Sequence, residues 1–245
     1  MASIKKKEII NCIEYIDKEK LFDKLNKVYS KVPSGDCEGC GSCCMESVGI
    51  NILEFINIFN FLDKNKELKK KSLERIIDYY FLEYIKKSPC PFKDDNNRCL
   101  IYDVRPLNCR LFGHWKEKDY NKNLQKILYV NKEYKDFMKS KYEFAISEEV
   151  VNYKISYCEK FKPKNYYLSK SERLSFSEEI FCLDSRILSN SLINIGFKDR
   201  GIVEYFIEYL LYENVAYNIK INISKDKVNR EKIIRKLKKV ILTKV

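Results

Sequence analysis

Apolar positions recur with helical spacing along most of the chain. Ile9, Cys12, Ile13 and Ile16 follow an i, i+3, i+4, i+7 pattern that Leu21, Leu25 and Val28 continue, which predicts one or two amphipathic helices over residues 5–31. Cys12 falls on the apolar face and reads as a core thiol, since an unpaired cysteine packs like a small hydrophobe. A helix restarts near Asn51, where Asn51 and Glu54 form a capping pair, with Ile52, Phe55, Ile56 and Phe59 as its stripe. Leu73, Ile76, Ile77, Tyr80 and Tyr84 mark the next helix, which Ser88-Pro-Cys-Pro91 ends. From residue 116 onward the pattern predicts helices over 119–141, 175–194, 199–217 and 226–243. Gly196 serves as a stop for the second of these and Asp199 as a cap for the third. Tyr217, Ile219 and Ile221 alternate with Asn218, Lys220 and Asn222, the period of a short strand from Ala216 to Ile223. The expected fold is mainly α, with helices packed around irregular loops and one short β element.

Those loops hold the distinctive composition. The chain has 245 residues and ten cysteines, seven of them between Cys37 and Cys109. Four of the seven glycines lie between Gly35 and Gly49, and three of the five prolines between Pro89 and Pro106. A disulfide scaffold suits small secreted chains that cannot build a core. This chain is long enough to build one, and 45% hydrophobic content beside 33% charge excludes wholesale disorder. Its first residues do not read as a signal peptide, because Glu8, Asn11 and Glu14 interrupt any apolar run. No glycine for myristoylation follows Met1. The most apolar later stretch, 202–217, carries Glu204, Glu208 and Glu213, so no transmembrane segment is expected. The expected location is cytosolic, where thiols stay reduced and clustered cysteines hold metal.

The spacing is Cys37-x2-Cys40-x2-Cys43-Cys44, then 45 residues, then Cys90-x8-Cys99-x9-Cys109. A C-x2-C loop brings two sulfurs within reach of one metal. Gly39 and Gly41 let the backbone curl around them. One tetrahedral zinc takes four thiolates, and seven are present, with Cys158 a candidate eighth. Adjacent Cys43 and Cys44 normally diverge, so either one is not a ligand or more than one metal is bound. Two zinc sites and a polynuclear iron–sulfur cluster both fit. An ordinary ferredoxin run and the radical-SAM spacing would each need a cysteine at position 47, which is Ser47.

Several thiolates on one cation leave negative charge for nearby cations to offset. Lys93, Arg98, Arg105 and Arg110 interleave with the second cysteine group, and Arg105 (before Pro106) and Arg110 (beside Cys109) are the best placed. The alternative for these side chains is plain surface solvation. His114, the only histidine, reads as a ligand or proton shuttle, or as a structural residue beside Trp115. Asp94 and Asp95 read as turn residues. Cys182 lies in a helix, off its apolar stripe, and is unassigned.

Cys37-Glu-Gly-Cys-Gly-Ser-Cys-Cys44, followed by Cys90-Pro-Phe and Cys99-Leu-Ile-Tyr-Asp-Val-Arg-Pro-Leu-Asn-Cys-Arg110, resembles the CxxCxxCC zinc- or iron-chelating family, the YkgJ-like cysteine-cluster proteins. Gly41, Tyr102, Arg105, Pro106, Cys109, Arg110 and Phe112 occur in that family's order, and the resemblance covers about residues 36–115. It implies a metal-binding domain, often with an iron–sulfur cluster. Flagellin lysine N-methylases carry a similar cluster and imply methyl transfer as an enzymatic alternative. No Gly-rich strand–loop–helix cradle for a nucleoside cofactor is visible.

Charge changes the reading least. The net charge is +12, and residues 221–245 hold +7 of it. In that tail Ile233, Ile234, Leu237, Val240 and Ile241 share a face. A basic amphipathic helix can bind a membrane surface, an acidic partner or nucleic acid, or it can dock on the core with a solvated lysine face. The last is expected, because lysine, isoleucine, asparagine and tyrosine are abundant throughout.

The chain therefore divides into an N-terminal amphipathic segment (1–35), a cysteine-cluster domain (36–115) and a helical C-terminal region with a basic tail (116–245). The expected ligands are Cys37, Cys40, Cys43, Cys44, Cys90, Cys99 and Cys109, holding an iron–sulfur cluster in preference to zinc. No side chain is assigned a catalytic role. Three function classes follow: a metal or cluster protein with a binding, delivery or redox role; a protein-modifying enzyme; and a zinc-stabilised interaction module using its tail on nucleic acid or an acidic partner. The protein partner or substrate is not named by the residues.

Overall fold

The computed structural model describes residues 3–195 and 198–243. In chain order the elements are α1 (Lys6–Lys18), α2 (Leu21–Lys31), β1 (Gly35–Asp36), α3 (Ile52–Asp63), α4 (Lys66–Leu82), α5 (Leu107–Leu111), α6 (Glu117–Tyr142), α7 (Glu148–Val151), β2 (Lys162–Pro163), α8 (Lys170–Ser189), α9 (Ile202–Leu210), α10 (Glu213–Lys225) and α11 (Arg230–Leu242). The fold is mainly α, and among the described residues the one sheet is the antiparallel pair β1–β2.

The centre is α3. Ile52, Leu53, Phe55, Ile56, Ile58, Phe59 and Leu62 are all buried, because α1, α2, α4 and α8 pack around it. A helix covered this fully reads as apolar all round, not as a stripe. Phe55 stacks on Tyr205 of α9 at 4.9 Å and meets Phe206 edge-on at 5.2 Å, and Phe59 meets Tyr209 at 4.9 Å. Each buried ring contributes about 2–3 kcal/mol by burial alone. This seam carries α9 to the segment that follows the first cysteine loop. There Ile50 N–H donates to the Arg200 carbonyl (3.0 Å) and Ile202 N–H to the Val48 carbonyl (2.9 Å). The Arg200–Glu208 ion pair at 2.7 Å is buried beneath them.

Helix α8 caps α3 in trans. The Ile52 and Leu53 N–H groups donate to the Asp184 carboxylate at 2.9 and 3.0 Å, satisfying two free donors of the first turn. Burial pushes this carboxyl from 3.8 up to about 7. A raised folded-state pKa stabilises the fold below the unfolded value, and that stability is lost as pH rises through the folded one, by about 1.4 kcal/mol per pH unit for one proton. Urea unfolding should therefore show wild-type stability falling, relative to Asp184→Asn, from about pH 4 to about pH 7 and running parallel above. A pH-independent difference between the two proteins would exclude this titration.

Cys12 is fully buried on α1, as its place on the apolar face predicts, and burial pushes its thiol up to about 12. The basic tail forms α11, which packs on α4. Ile234 and Ile241 are buried, Ile233 and Leu237 join the core, Val240 is half exposed, and Lys238 pairs with Asp78. The core thus covers most of the apolar face that a membrane or an external partner would require. Among the described residues no helix is long and apolar enough to cross a membrane.

Three expectations are corrected. Residues 216–223 are helical, within α10. The alternation misleads because Lys220, an outward polar position in a strand reading, is buried, paired with Glu83 and held 4.1 Å from the ring centres of both Tyr80 and Tyr84. Asp199 does not cap the next helix, whose N-cap is Gly201. The span 199–217 divides into α9 and α10 at Leu211–Tyr212. The Gly196 stop lies outside the described residues, and α8 itself ends at Ser189.

Candidate metal centre

The first cysteine loop is entered through β1, whose Gly35 and Asp36 pair with Pro163 and Lys162. Gly35 has no substitute here, because a Cβ would stand 2.2 Å from the Phe161 ring. Gly39 and Gly41 adopt φ of +66° and +69°, which turns the chain back on itself between Cys37 and Cys43. The Cys44 N–H then donates to the Gly41 carbonyl at 3.0 Å.

One backbone hydrogen bond joins the two cysteine segments across 45 residues: the Cys90 N–H donates to the Cys44 carbonyl at 2.9 Å. Beyond it the chain doubles back between Lys93 and Cys99, with Leu100 N–H on the Phe92 carbonyl at 2.7 Å. The Asp94 carboxylate accepts from the Asn96 and Arg98 N–H groups (2.9 and 2.7 Å), the turn role expected of it. Arg75 of α4 ties this loop to the core through the Lys93 carbonyl at 2.7 Å. Cys109 sits on α5, whose first N–H, on Leu107, donates to buried Glu54 at 2.6 Å.

The two arginines divide their roles. Arg110 braces the approach to Cys109, donating to the carbonyls of Arg105 (2.8 Å) and Asp103 (2.9 Å) with its guanidinium 4.1 Å over Tyr29. Arg105 lies over Tyr102 at 4.2 Å and favours the charged forms of Cys43 and Cys99. It therefore faces Cys43 and Cys99, while Lys160 does the same for Cys40. Lys93 lies against Gly41, and Arg98 contributes its backbone to the Asp94 turn.

All ten cysteines are free thiols. Cys37 and Cys40 are exposed, whereas Cys43, Cys44, Cys90 and Cys99 are half-buried. Cys109 is solvent-accessible, yet surrounding protein pushes its thiol well above the usual value. Burial likewise raises Cys90 to about 11 and raises Cys99. Cys43 is raised first by its hydrogen bond with Cys44, then by burial. Cys40 is lowered by Ser42, whose hydroxyl lies 3.3 Å from its sulfur.

Cys43 is the common neighbour. It perturbs the ionisation of Cys40, Cys90, Cys99, Cys109 and Cys158. Cys158 reaches this group because β2 carries its segment to β1 and Lys160 pairs with Glu38 at 2.8 Å. Tyr120, packed on Trp115, Phe112 and Tyr157, supports the approach to Cys158 by donating to the Ile155 carbonyl at 2.8 Å. Among the described residues no group of three or more His, Cys, Asp or Glu side chains is arranged so that it could hold a metal ion. The donor set nevertheless fits a soft cation, because thiols that oppose one another's ionisation lose that penalty with a cation among them.

His114 packs instead against Phe161, 4.6 Å between rings, and is buried. Burial lowers its pKa, and no cysteine is among the groups that shift it. Cys182 is exposed on α8. Ser47, where a ferredoxin would place a thiol, joins two elements of the core instead. Its hydroxyl accepts from Val203 N–H at the start of α9 (3.2 Å), and its own N–H donates to the Tyr79 hydroxyl of α4 (2.9 Å). Ser47→Ala should cost about 1–2 kcal/mol in urea unfolding and leave metal content unchanged. Loss of metal in that variant would make Ser47 part of the site.

A sequence model of the CxxCxxCC family, described as a "putative zinc- or iron-chelating domain", matches residues 36–159, just over half of the chain. The matched span takes in the seven cysteines of the two loops and Cys158, and leaves out Cys12 and Cys182. No solved structure matches the chain.

Proposed function

Because the chain belongs to the CxxCxxCC family of zinc- or iron-chelating domains, we propose that it holds an iron–sulfur cluster on its cysteine loops, as a metal-carrying protein with a delivery or redox role. The carrying observation is the backbone joint at which the Cys90 N–H donates to the Cys44 carbonyl at 2.9 Å, which sets the two cysteine segments side by side. On this reading Cys43, Cys90, Cys99 and Cys109 form an inner set, and Cys37, Cys40, Cys44 and Cys158 an outer one. Eight thiols divided in this way account for a number that one tetrahedral zinc does not use.

A bound cluster would supply one-electron chemistry or a store of iron. The chain's own residues then have definable roles. Arg105 offsets the negative charge of the thiolates, Arg110 and Glu54 fix the helix that carries Cys109, and Asp94 fixes the turn between Cys90 and Cys99.

Anaerobic purification with iron, zinc and acid-labile sulfide analysis tests the proposal. Iron and sulfide in comparable amounts, with broad visible absorbance, are expected. A colourless protein with stoichiometric zinc would overturn the cluster and keep the chelation; a protein without metal would overturn both.

A further inference from the structure

Under the middle of α6 lies a cavity of about 280 Å³ that contains none of the cysteines. The helix is fastened towards both ends, by the Tyr120 hydroxyl on the Ile155 carbonyl and by buried Met138. Between these anchors Ile127, Asn131 and Tyr134 line the void, and the end of α4 supplies another wall. Part of the lining is apolar or aromatic, with Ile127, Ile146, Val151, Tyr79, Tyr84 and Tyr134. Another part carries three carboxylates, those of Glu46, Glu83 and Glu204.

Two of these carboxylates are neutralised by lysines of the chain itself. Lys87 pairs with Glu46 at 3.3 Å, and buried Lys220 pairs with Glu83. Lys86, the other cation of the lining, is exposed. Glu204 is left over. Its Oε2 is buried and has no hydrogen-bond partner. Burial and then Glu83 push this carboxyl up, while Lys220 opposes the rise. A buried acceptor without a donor is costly, so a ligand that brings a charged donor gains more here than at the surface. Lys220 shows which donor suits these surroundings. Its ammonium lies 4.1 Å from the ring centres of both Tyr80 and Tyr84 while it pairs with Glu83. The cavity repeats that combination of tyrosines and a carboxylate, with Glu204 and no lysine paired to it. Its apolar walls suit a carbon body and not a hydrated inorganic ion.

We propose that this cavity binds a small organic ammonium, with the charged end at Glu204 and Tyr134 and the carbon body against Ile127, Ile146 and Val151. Glu46, Ser47 and Ser88 of the lining flank the Cys44–Cys90 joint, so the ligand sits beside the cysteine loops. The site does not depend on metal being bound.

The test is a ligand-detected NMR titration of the full reduced chain with phenethylammonium. Neutral 2-phenylethanol and anionic phenylacetate serve as controls of similar shape. The ammonium should bind on the order of tenfold more tightly than the alcohol, and phenylacetate should not bind. Glu204→Gln should remove that preference and leave the alcohol unchanged. Ile127→Trp, at an exposed position of α6 and so independent of whether the Glu204 variant folds, should fill the cavity and abolish binding. No binding of the ammonium, equal binding of the alcohol, binding of phenylacetate, or unchanged ammonium affinity in either variant would each overturn the site.

Discussion

Replacing Glu54 with alanine should destabilise the protein by about 3–5 kcal/mol and release its metal, although Glu54 is not a ligand. Its carboxylate is 2% exposed and accepts three hydrogen bonds: from Tyr29 of α2 (2.8 Å), from the Asn51 N–H at the start of α3 (3.0 Å) and from the Leu107 N–H at the start of α5 (2.6 Å). Burial pushes its pKa up, while those donors and nearby Arg110 oppose the rise. Alanine would leave three donors unpaired, those of Tyr29 and Leu107 buried and that of Asn51 partly so, and each buried orphan costs about 1–3 kcal/mol. Stabilities of single domains are about 5–15 kcal/mol, so the loss would be a large share. The α5 end that carries Cys109 would lose its tether at the same time. Glu54→Gln keeps the shape and one accepting oxygen, and should cost about 1–2 kcal/mol. Urea unfolding and metal analysis of both variants would check this. Equal, small losses would make the carboxylate incidental to the centre.

Glu54 also shows where the local pattern of the chain stops being informative. Its spacing from Asn51 announces a capping pair, and that contact exists. Nothing local announces that the other oxygen serves α2 and α5, because those partners lie 25 residues before it and 53 after it. The same holds for Cys158. It can be counted as an eighth thiol, but only the pairing of β1 with β2 brings it beside Cys40, and two-residue strands leave no periodic signal. The cysteine loops are legible because metal ligation demands particular side chains at short spacings. The helices are legible where one face meets water, as in α1 and α2. They are misread where burial erases the pattern, as when buried Lys220 in α10 imitates an outward strand position. Ser47 stands out in the sequence only as a missing thiol, and its actual partner, the start of α9, is visible only in three dimensions.

The strongest check on the inner set is Cys109→Ser measured with and without metal. A ligand that binds only the folded chain stabilises it by about 4 kcal/mol at a thousandfold excess over Kd. If Cys109 ligates, the serine variant should lose most of that increment, because serine is a poor ligand for a soft cation. Once a chelator has stripped both proteins, they should unfold at nearly the same urea concentration, since Cys109 is solvent-accessible and exchanging sulfur for oxygen removes little packing. A thiol that mattered for packing alone would behave in the opposite way, with the same deficit whether or not metal is present. Cys12→Ala supplies that contrast, because Cys12 is fully buried among apolar neighbours and far along the chain from either loop. Its cost, about 1–2 kcal/mol for a small core side chain, should persist unchanged after chelation. Metal-independent loss in Cys109→Ser would remove that residue from the ligand set and leave the inner group one thiolate short of a four-coordinate site.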